Sequence, residues 1–244
     1  MTKPLPVGTF AVTPRTPLGI MMHVPHFTLN TQGRDIAVGD IHGSFSALQA
    51  ALRQIRFDPD KDRLFSVGDL VDHGPESRQV LDWLAQPWFH AIAGNHELMT
   101  WRRAIGQPVQ EFDHRVLGGL WLDDCPPDEQ QRIAQGLQTL PLAMEVATPD
   151  GLVGIVHADF PYEDWTAIHD PAFDADDQYV CMWSIDRYES RYAEPVRNIR
   201  ALVHGHRTTR SMLRLGNVYF IDTGGWRLGG HFTLLDLHTL SPLR

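Results

Sequence analysis

A strand, a glycine and a helix follow one another three times in the first half of the sequence. Short apolar runs at 36–38, 64–67 and 88–92 are each followed by a glycine within two residues. Between the first two runs, apolar residues from Phe45 to Ile55 recur at the spacing of one buried helix face. This order predicts βαβ units and a mostly parallel sheet, which indicates the α/β fold class.

The rest of the chain adds helices and more strands. From about 98 to 140 the pattern is helical, with interruptions at Gly118-Gly119 and Pro126-Pro127. Further strands are predicted at 152–156, 201–203, 217–221 and 232–237. No helix separates the last two, so we expect them to run antiparallel to each other. Residues 1–33 are rich in Pro, Thr and Gly and are interpreted as an extended, loosely strand-like N-terminal extension.

Composition and charge exclude several classes of protein. The 244 residues carry a net charge of −9, whereas a protein that binds duplex nucleic acid needs a basic surface. The two cysteines, Cys125 and Cys181, do not make a secreted disulfide framework, and we interpret both as packing residues. The N-terminus lacks the apolar run of a signal peptide, and no stretch is long enough to cross a membrane. We therefore expect a cytoplasmic protein that contacts no membrane.

Polar side chains of the kind that bind metals follow each of five predicted strands. They are Asp40 and His42; Asp69 and Asp72; Asn95, His96 and Glu97; His157 and Asp159; and His204 and His206. In open α/β sheets, sites form beyond the carboxyl ends of the strands, so these groups can converge on one cleft. Each group alone is more typical of a capped loop, a turn or a buried histidine. Their regular recurrence favours a shared metal site.

These residue types suit hydrolysis by a pair of metal ions. Two divalent cations about 3.5–4 Å apart repel each other, so an anionic ligand such as an aspartate has to bridge them. Imidazole and carboxylate ligands favour Mn, Fe or Zn over Ca or Mg. The 13 histidines do not by themselves distinguish metal ligands from solvent-facing side chains.

Five short motifs carry a resemblance to a known family. They are GDIHG at 39–43, GDLVDHG at 68–74, GNHE at 94–97, VHAD at 156–159 and VHGH at 203–206. With them the sequence resembles the metallophosphoesterases of the phosphoprotein phosphatase family, in particular the bacterial and phage lambda type of serine/threonine phosphatase. The resemblance implies a single catalytic domain over about 34–240, with a cap-like helical segment at about 98–140. It also implies that this domain is a β-sandwich of mixed sheets flanked by helices.

The resemblance implies a role for each motif residue. Asp40 and His42 would bind a first metal, and Asn95, His157 and His206 would bind a second one. Asp69 would bridge the two metals. The expected cofactors are two divalent ions, Mn before Fe, Zn or Ni. His96 would be the general acid, oriented by Asp72, while a metal-bridging hydroxide attacks phosphorus. His204 is interpreted as a residue behind the ligands or a structural one.

The expected phosphate-binding residues depart from the family pattern. His73 stands where the family has an arginine, and Ile185 and Ala93 stand where two more arginines often occur. Arg187 is close enough in sequence to Ile185 to reach the cleft, so the predicted substrate contacts are Asn95, His73 and Arg187. A neutral imidazole does not copy the two parallel hydrogen bonds of a guanidinium, so weaker binding of phosphate dianions is expected.

Three functions remain open at this stage. The first is a phosphomonoesterase that acts on phosphoserine or phosphothreonine in proteins, with phosphotyrosine or a small phosphoester as further substrates. The second is a phosphodiesterase or dinucleoside-polyphosphate hydrolase, which the lost arginines favour and Glu97 opposes, since those relatives tend to have aspartate there. The third is a non-catalytic binding protein. We expect a monomer or weak oligomer.

The cap-like segment offers candidate substrate contacts. They are Trp101, Arg102, Arg103, Trp121, Asp123 and Asp124. An ordinary helical cap with a solvated charged face is an equally good interpretation of the same residues.

Overall fold

The computed structural model describes residues 19, 23–109 and 112–243. The strands are β1 (His26–Phe27), β2 (Asp35–Val38), β3 (Arg63–Ser66), β4 (Phe89–Ala91), β5 (Ala143–Thr148), β6 (Gly151–Val156), β7 (Ala201–His204), β8 (Leu213–Leu215), β9 (Val218–Phe220), β10 (Leu234–Asp236) and β11 (Ser241–Pro242). The α-helices are α1 (Phe45–Gln54), α2 (Val80–Leu84), α3 (Asn95–Ala104), α4 (Pro127–Gln138), α5 (Ala175–Trp183) and α6 (Asp186–Ser190). Short 3₁₀ turns connect several of them.

The first sheet contains the predicted βαβ units. Its strand order is β11-β10-β2-β3-β4, and β2, β3 and β4 are parallel, with Ala37 opposite Phe65. Strand β10 runs antiparallel to β2, with Leu235 opposite Ala37. The carboxyl ends of the three parallel strands therefore lie at one edge, where their turns begin.

The second sheet has the strand order β1-β5-β6-β7-β9-β8 and is also mixed. The predicted antiparallel pairing of the last two strands is wrong, because β9 pairs with β7 and β8 in this sheet while β10 belongs to the other. Every residue of both strands is buried, so their sequences show no alternation of polar and apolar residues from which the neighbouring strand could be predicted. The connection from 221 to 233 crosses from one sheet to the other.

Side chains alternate between two cores. Ile36 and Val38 belong to the larger cluster, which includes buried residues of the helices. Ala37 and Phe65 belong to a second cluster that includes Val153 and other residues of the second sheet, so this cluster lies between the sheets. The predicted sandwich of mixed sheets flanked by helices is confirmed.

Two other predictions fall partly on the described residues. Most of the predicted N-terminal extension lies outside them, and in its described part His26 and Phe27 pair in parallel with β5. The two thiols, Cys125 and Cys181, are buried and free, as expected of packing residues. Within the described ranges, none of the helices has both the length and the apolar character needed to span a bilayer.

His90 in β4 makes folding stability sensitive to acid. Burial, and then the nearby charge of Arg63, lower the pKa of this ring from 6.5 to about 4. Between these values the unfolded chain binds more protons, so the contribution is fully present above pH 6.5 and is lost as pH falls toward 4. Because solvent reaches part of the ring, we expect this pH-dependent contribution to the free energy of unfolding to be about 1 kcal/mol. Urea unfolding measured above pH 6.5 and at about pH 5 gives the stability lost on acidification, and this loss should be smaller in His90→Gln than in the wild type. Equal losses in the two proteins would contradict the assignment to His90.

Candidate active site

The turns after β2 and β3 hold each other in place. The backbone amides of Ile41 and His42 donate to the carbonyl oxygen of Asp69 at 2.9 and 2.8 Å. His42 and Asp69 have φ values of 44° and 51°, which are uncommon outside glycine and persist only where surrounding contacts fix them. Two turns that carry predicted ligands are therefore fixed relative to each other.

Glu97 ties the third turn to the second. Its buried carboxylate accepts hydrogen bonds from the backbone amides of Asp69 and Leu70, both at 2.7 Å, and of Gly94 at 2.8 Å. Burial, and then the charge of Asp69, raise the pKa of Glu97 to about 7. The sequence analysis missed this positioning role. The available signal was a glutamate at the third position of a helix, where it closes a capping box.

Asp69 lies at the centre of the predicted metal ligands. Potential ligand atoms of Asp40, His42 and Asp69 lie within 4.8 Å of one another, and so do those of Asp69, His157 and His206. Asp69 Oδ2 is 3.6 Å from His42 Nε2 and 3.3 Å from His157 Nε2. One carboxylate is thus shared by the two groups, as a bridging ligand requires.

Asn95 belongs to the second of these groups. Its Oδ1 lies 2.9 Å from His157 Nε2 and 3.1 Å from His206 Nδ1. Together with the two groups around Asp69, this contact brings all six predicted metal ligands into one cluster.

Backbone carbonyls fix how two of the imidazoles face the cluster. His42 Nδ1 lies 2.9 Å from the carbonyl oxygen of Val71, and His157 Nδ1 lies 2.8 Å from that of Val67. A carbonyl accepts only, so each Nδ1 carries a proton and each Nε2 points toward the cluster. Burial would lower the pKa of His157, but the charge of Asp69 raises it, so a cation at this position would have to displace a proton from Nε2.

His96 and Asp72 form a buried pair beside the cluster. His96 Nδ1 lies 2.7 Å from Asp72 Oδ2, and His96 Nε2 lies 4.0 Å from Asp69 Oδ2. Burial would lower the pKa of His96, but the charges of Asp69 and Asp72 raise it from 6.5 to about 9. The two carboxylates thus favour the protonated ring, with Nε2–H toward the cluster.

His73 lies at the cleft beside a tryptophan that the sequence analysis missed. One ligand atom each of His42, His73 and His96 lie within 4.8 Å of one another. The His73 ring stacks on Trp226, with centroids 4.8 Å apart at 19°, and the Arg227 guanidinium lies 4.1 Å from the Trp226 centroid. Both residues come from the connection that crosses between the sheets, and no metal-type motif marks it.

The structure corrects the expectation that Arg187 reaches the cleft. Its guanidinium is buried, donates to the carbonyl oxygens of Tyr192 and Glu194 at 3.1 and 3.0 Å, and lies 3.4 Å from Asp159 Oδ1. The side chain is thus held inside the fold by the two carbonyl oxygens and the charge of Asp159, although Nε makes no hydrogen bond, and it is not available to a substrate in this conformation. His204 is also buried, with Nδ1 2.7 Å from the carbonyl oxygen of Val156.

Several candidate contacts of the cap-like segment bind each other or the buried pair of His96 and Asp72. Arg103 and Arg115 both pair with Asp123. Trp121 Nε1 donates to Asp72 Oδ1 at 2.7 Å, so its N–H is already engaged by the pair of His96 and Asp72, called the dyad below.

A model described as calcineurin-like phosphoesterase matches residues 36–214. The chain belongs to this family. The phosphoesterase is 33% identical over 196 residues to serine/threonine-protein phosphatase 2 of Escherichia coli K12, which covers 77% of this chain and 85% of that protein. It is 35% identical over 127 residues to the symmetrical bis(5'-nucleosyl)-tetraphosphatase of Methylococcus capsulatus, covering 51% and 42% of the two chains. In fold it resembles the solved cold-active protein-tyrosine phosphatase of a Shewanella species, with a TM-score of 0.56 at 16% identity over 94% of this chain and 82% of that one.

This phosphoesterase is a hydrolase of a metal-dependent family, and its donor set fits divalent cations. Burial, and then the charges of Asp222 and Asp69, raise the pKa of Asp40 well above its ordinary value. Cations held between these carboxylates would relieve that repulsion. Burial lowers the pKa values of His42 and His206 to about 3, so both rings stay neutral and keep a free lone pair for a metal.

Proposed function

We propose that the chain is a metal-dependent phosphomonoesterase that removes phosphate from phosphoserine and phosphothreonine in proteins. The observation that carries this proposal is the surroundings of Asp69 Oδ2. Nitrogens of His157, His42 and His96 lie 3.3, 3.6 and 4.0 Å from this single oxygen. A metal-binding group and a protonated imidazole therefore face the same point in the cleft. The name of the Escherichia coli relative supports the choice of substrate.

The proposed roles follow from the geometry of each side chain. When bound, two divalent cations, Mn²⁺ in our proposal, would supply a nucleophilic water at neutral pH and neutralise phosphoryl oxygens. Asp40, His42 and Asp69 would hold one of them, and Asp69, Asn95, His157 and His206 the other.

His96 acts on the leaving group. Its Nε2 proton passes to the departing serine or threonine oxygen as the P–O bond breaks, and Asp72 keeps Nδ1–H in place throughout. The oxygen thus leaves as an alcohol, and the imidazole regains its proton from solvent for the next turnover. We propose that the Asn95 side-chain amide also contacts a phosphoryl oxygen of the bound substrate.

A comparison of two model esters tests the proposal. The purified protein is stripped with a chelator and refilled with Mn²⁺, and hydrolysis of p-nitrophenyl phosphate is measured against bis-p-nitrophenyl phosphate. We expect faster turnover of the monoester, followed by release of phosphate from phosphoserine peptides. Faster turnover of the diester would contradict the proposal, as would turnover of neither ester by protein with bound metal.

A dinucleoside-polyphosphate hydrolase is the second candidate. His73 favours it, because an imidazole in place of a guanidinium binds a dianionic monoester less strongly than a substrate with less charge on each phosphate. The name of the Methylococcus relative points the same way, although the match covers 42% of that protein. Diadenosine tetraphosphate added to the same assay distinguishes the two, since the phosphatase should cleave it far more slowly than a phosphopeptide.

We propose further that Arg227 supplies the phosphate-binding guanidinium that position 73 lacks. It is exposed and stacks on Trp226, which in turn stacks on His73 in the cleft. Arg227→Ala is expected to raise KM for the monoester about tenfold, the value of one charge-assisted hydrogen bond, with little change in kcat. His73→Arg is expected to lower KM.

Steady-state kinetics at fixed Mn²⁺ measure both effects. Arg214→Ala is the matched control, because Arg214 is also exposed and stacks on an aromatic ring, that of Tyr219. A KM for Arg227→Ala equal to that of the control would remove Arg227 from the substrate site.

A further inference from the structure

The carboxylate of Asp72 receives more hydrogen bonds than its pairing with His96 accounts for. His114 Nε2 lies 2.8 Å from Oδ2 and 3.0 Å from Oδ1, and Trp121 Nε1 donates to Oδ1 at 2.7 Å. Asp72 is fully buried, and His114 is nearly so. Three nitrogen donors thus converge on one carboxylate, and two of them come from the cap-like segment.

The segment is built to place His114 against Asp72. A methyl group at Gly119 would lie 2.3 Å from the His114 ring, so the close approach needs a glycine. Gly118 accepts a hydrogen bond from the amide of His73 through its carbonyl oxygen, at 3.3 Å. The glycine pair therefore lets the segment approach both the imidazole and the turn that carries the dyad.

The surroundings of His114 define which nitrogen carries its proton. Arg103 Nη1 lies 3.4 Å from Nδ1 and donates to the carbonyl oxygen of Gly119 at 2.8 Å. Because Nδ1 faces this cation, it accepts, and the ring proton sits on Nε2, where it is donated to Asp72.

We infer that His114 and Trp121 are positioning residues for the leaving-group step, which rests on the proposed function of His96. A carboxylate with one partner is free to rotate about its Cβ–Cγ bond and to shift toward other donors. Two further donors fix the plane of the Asp72 carboxylate, so that Oδ2 stays aligned with His96 Nδ1. The cap-like segment then sets how well the phosphatase expels poor leaving groups.

The experiment compares leaving groups in His114→Leu and Trp121→Phe, each of which removes a donor and keeps an apolar side chain. Nitrophenolate departs without a proton, whereas the alkoxide of serine needs one. We expect kcat on a phosphoserine peptide to fall by about 10- to 100-fold and kcat on p-nitrophenyl phosphate to fall less than about threefold. KM and the bound Mn²⁺ should stay the same in both variants.

Two further variants separate positioning from folding. His114→Gln restores an N–H donor and is expected to recover much of the rate on the peptide. Leu120→Ala is the matched control, because Leu120 is the sequence neighbour of Trp121 and its side chain is exposed. Among the described residues, no contact joins it to His96 or Asp72. Equal losses on both esters, or a rate on the peptide equal to that of the control, would overturn the inference.

His96→Asn, assayed in parallel, distinguishes the two possible failures. If it shows no dependence on the leaving group, the acid role of His96 in the proposed function is wrong. If it shows that dependence and neither Trp121→Phe nor His114→Leu does, the acid role stands and the positioning role is wrong. Trp121→Phe keeps the test open even if loss of the buried imidazole prevents folding.

Discussion

Asp69→Asn is expected to lower kcat about a thousandfold or more while the protein still folds. An amide carries no charge to bridge two cations, and loss of several kcal/mol of charge stabilisation corresponds to a rate change of this size. The backbone contacts of residue 69, to Ile41, His42 and Glu97, do not depend on the side-chain charge. Kinetics and elemental analysis after refilling with Mn²⁺ measure the loss of turnover and of bound metal together.

Thermal unfolding with and without Mn²⁺ provides an independent readout for the same variant. A ligand that binds only the folded state raises Tm, so the rise caused by Mn²⁺ should be smaller in Asp69→Asn than in the wild type. Asp236→Asn is the matched control, because Asp236 is also buried but only caps a turn, accepting from the amides of His238 and Thr239. If Asp69→Asn kept the turnover and the metal content of the wild type, the proposed bridging role of Asp69 would be wrong.

The convergence of the ligands could be predicted because it follows from topology. Parallel strands bring their carboxyl ends to one edge of a sheet, so residues that follow β2, β3 and β4 meet there whatever the details of packing. Asp40, Asp69 and Asn95 occupy these positions. The family resemblance then adds His157 and His206, which follow strands of the second sheet.

The residues that complete the site depend on contacts that a local pattern does not encode. Trp226 reaches His73 through a connection between sheets, and His114 reaches Asp72 across 42 positions of sequence. Strand β5 was missed for a related reason. Its buried Glu145 breaks the apolar run, and the partners of the carboxylate are side chains distant in sequence, those of His26, Trp165 and His169.

Arg187 shows the opposite error, in which nearness in sequence suggests a shared role. Its neighbour Ile185 occupies a position where the resemblance implies a phosphate-binding arginine, but Arg187 lies on a five-residue helix and its side chain is buried in the fold. A guanidinium has five donors, and a buried one needs acceptors. The carbonyl oxygens of Tyr192 and Glu194 provide two acceptors for Nη1 inside the fold, and no sequence pattern predicts these contacts.

His96→Asn is expected to lower kcat on a phosphoserine peptide by about 10²- to 10⁴-fold, the range for loss of a general acid. Asparagine keeps a polar side chain of similar reach but has no proton to give at neutral pH. The wild-type rate should also fall on the alkaline side, because the acid works only while the imidazole is protonated. Asp69 and Asp72 raise the pKa of His96 to about 9, and cations beside Asp69 would draw it lower, so the fall is expected at or below pH 9.

Rate profiles from neutral to alkaline pH on the peptide test this directly. The alkaline fall should be present in the wild type and in His231→Asn, an exposed histidine outside the cluster, and absent in His96→Asn. A fall that persists unchanged in His96→Asn would assign the titration to another group. A wild-type rate on the peptide in that variant would mean that the serine oxygen takes its proton from solvent, and the paired carboxylate of Asp72 would then have no part in the chemical step.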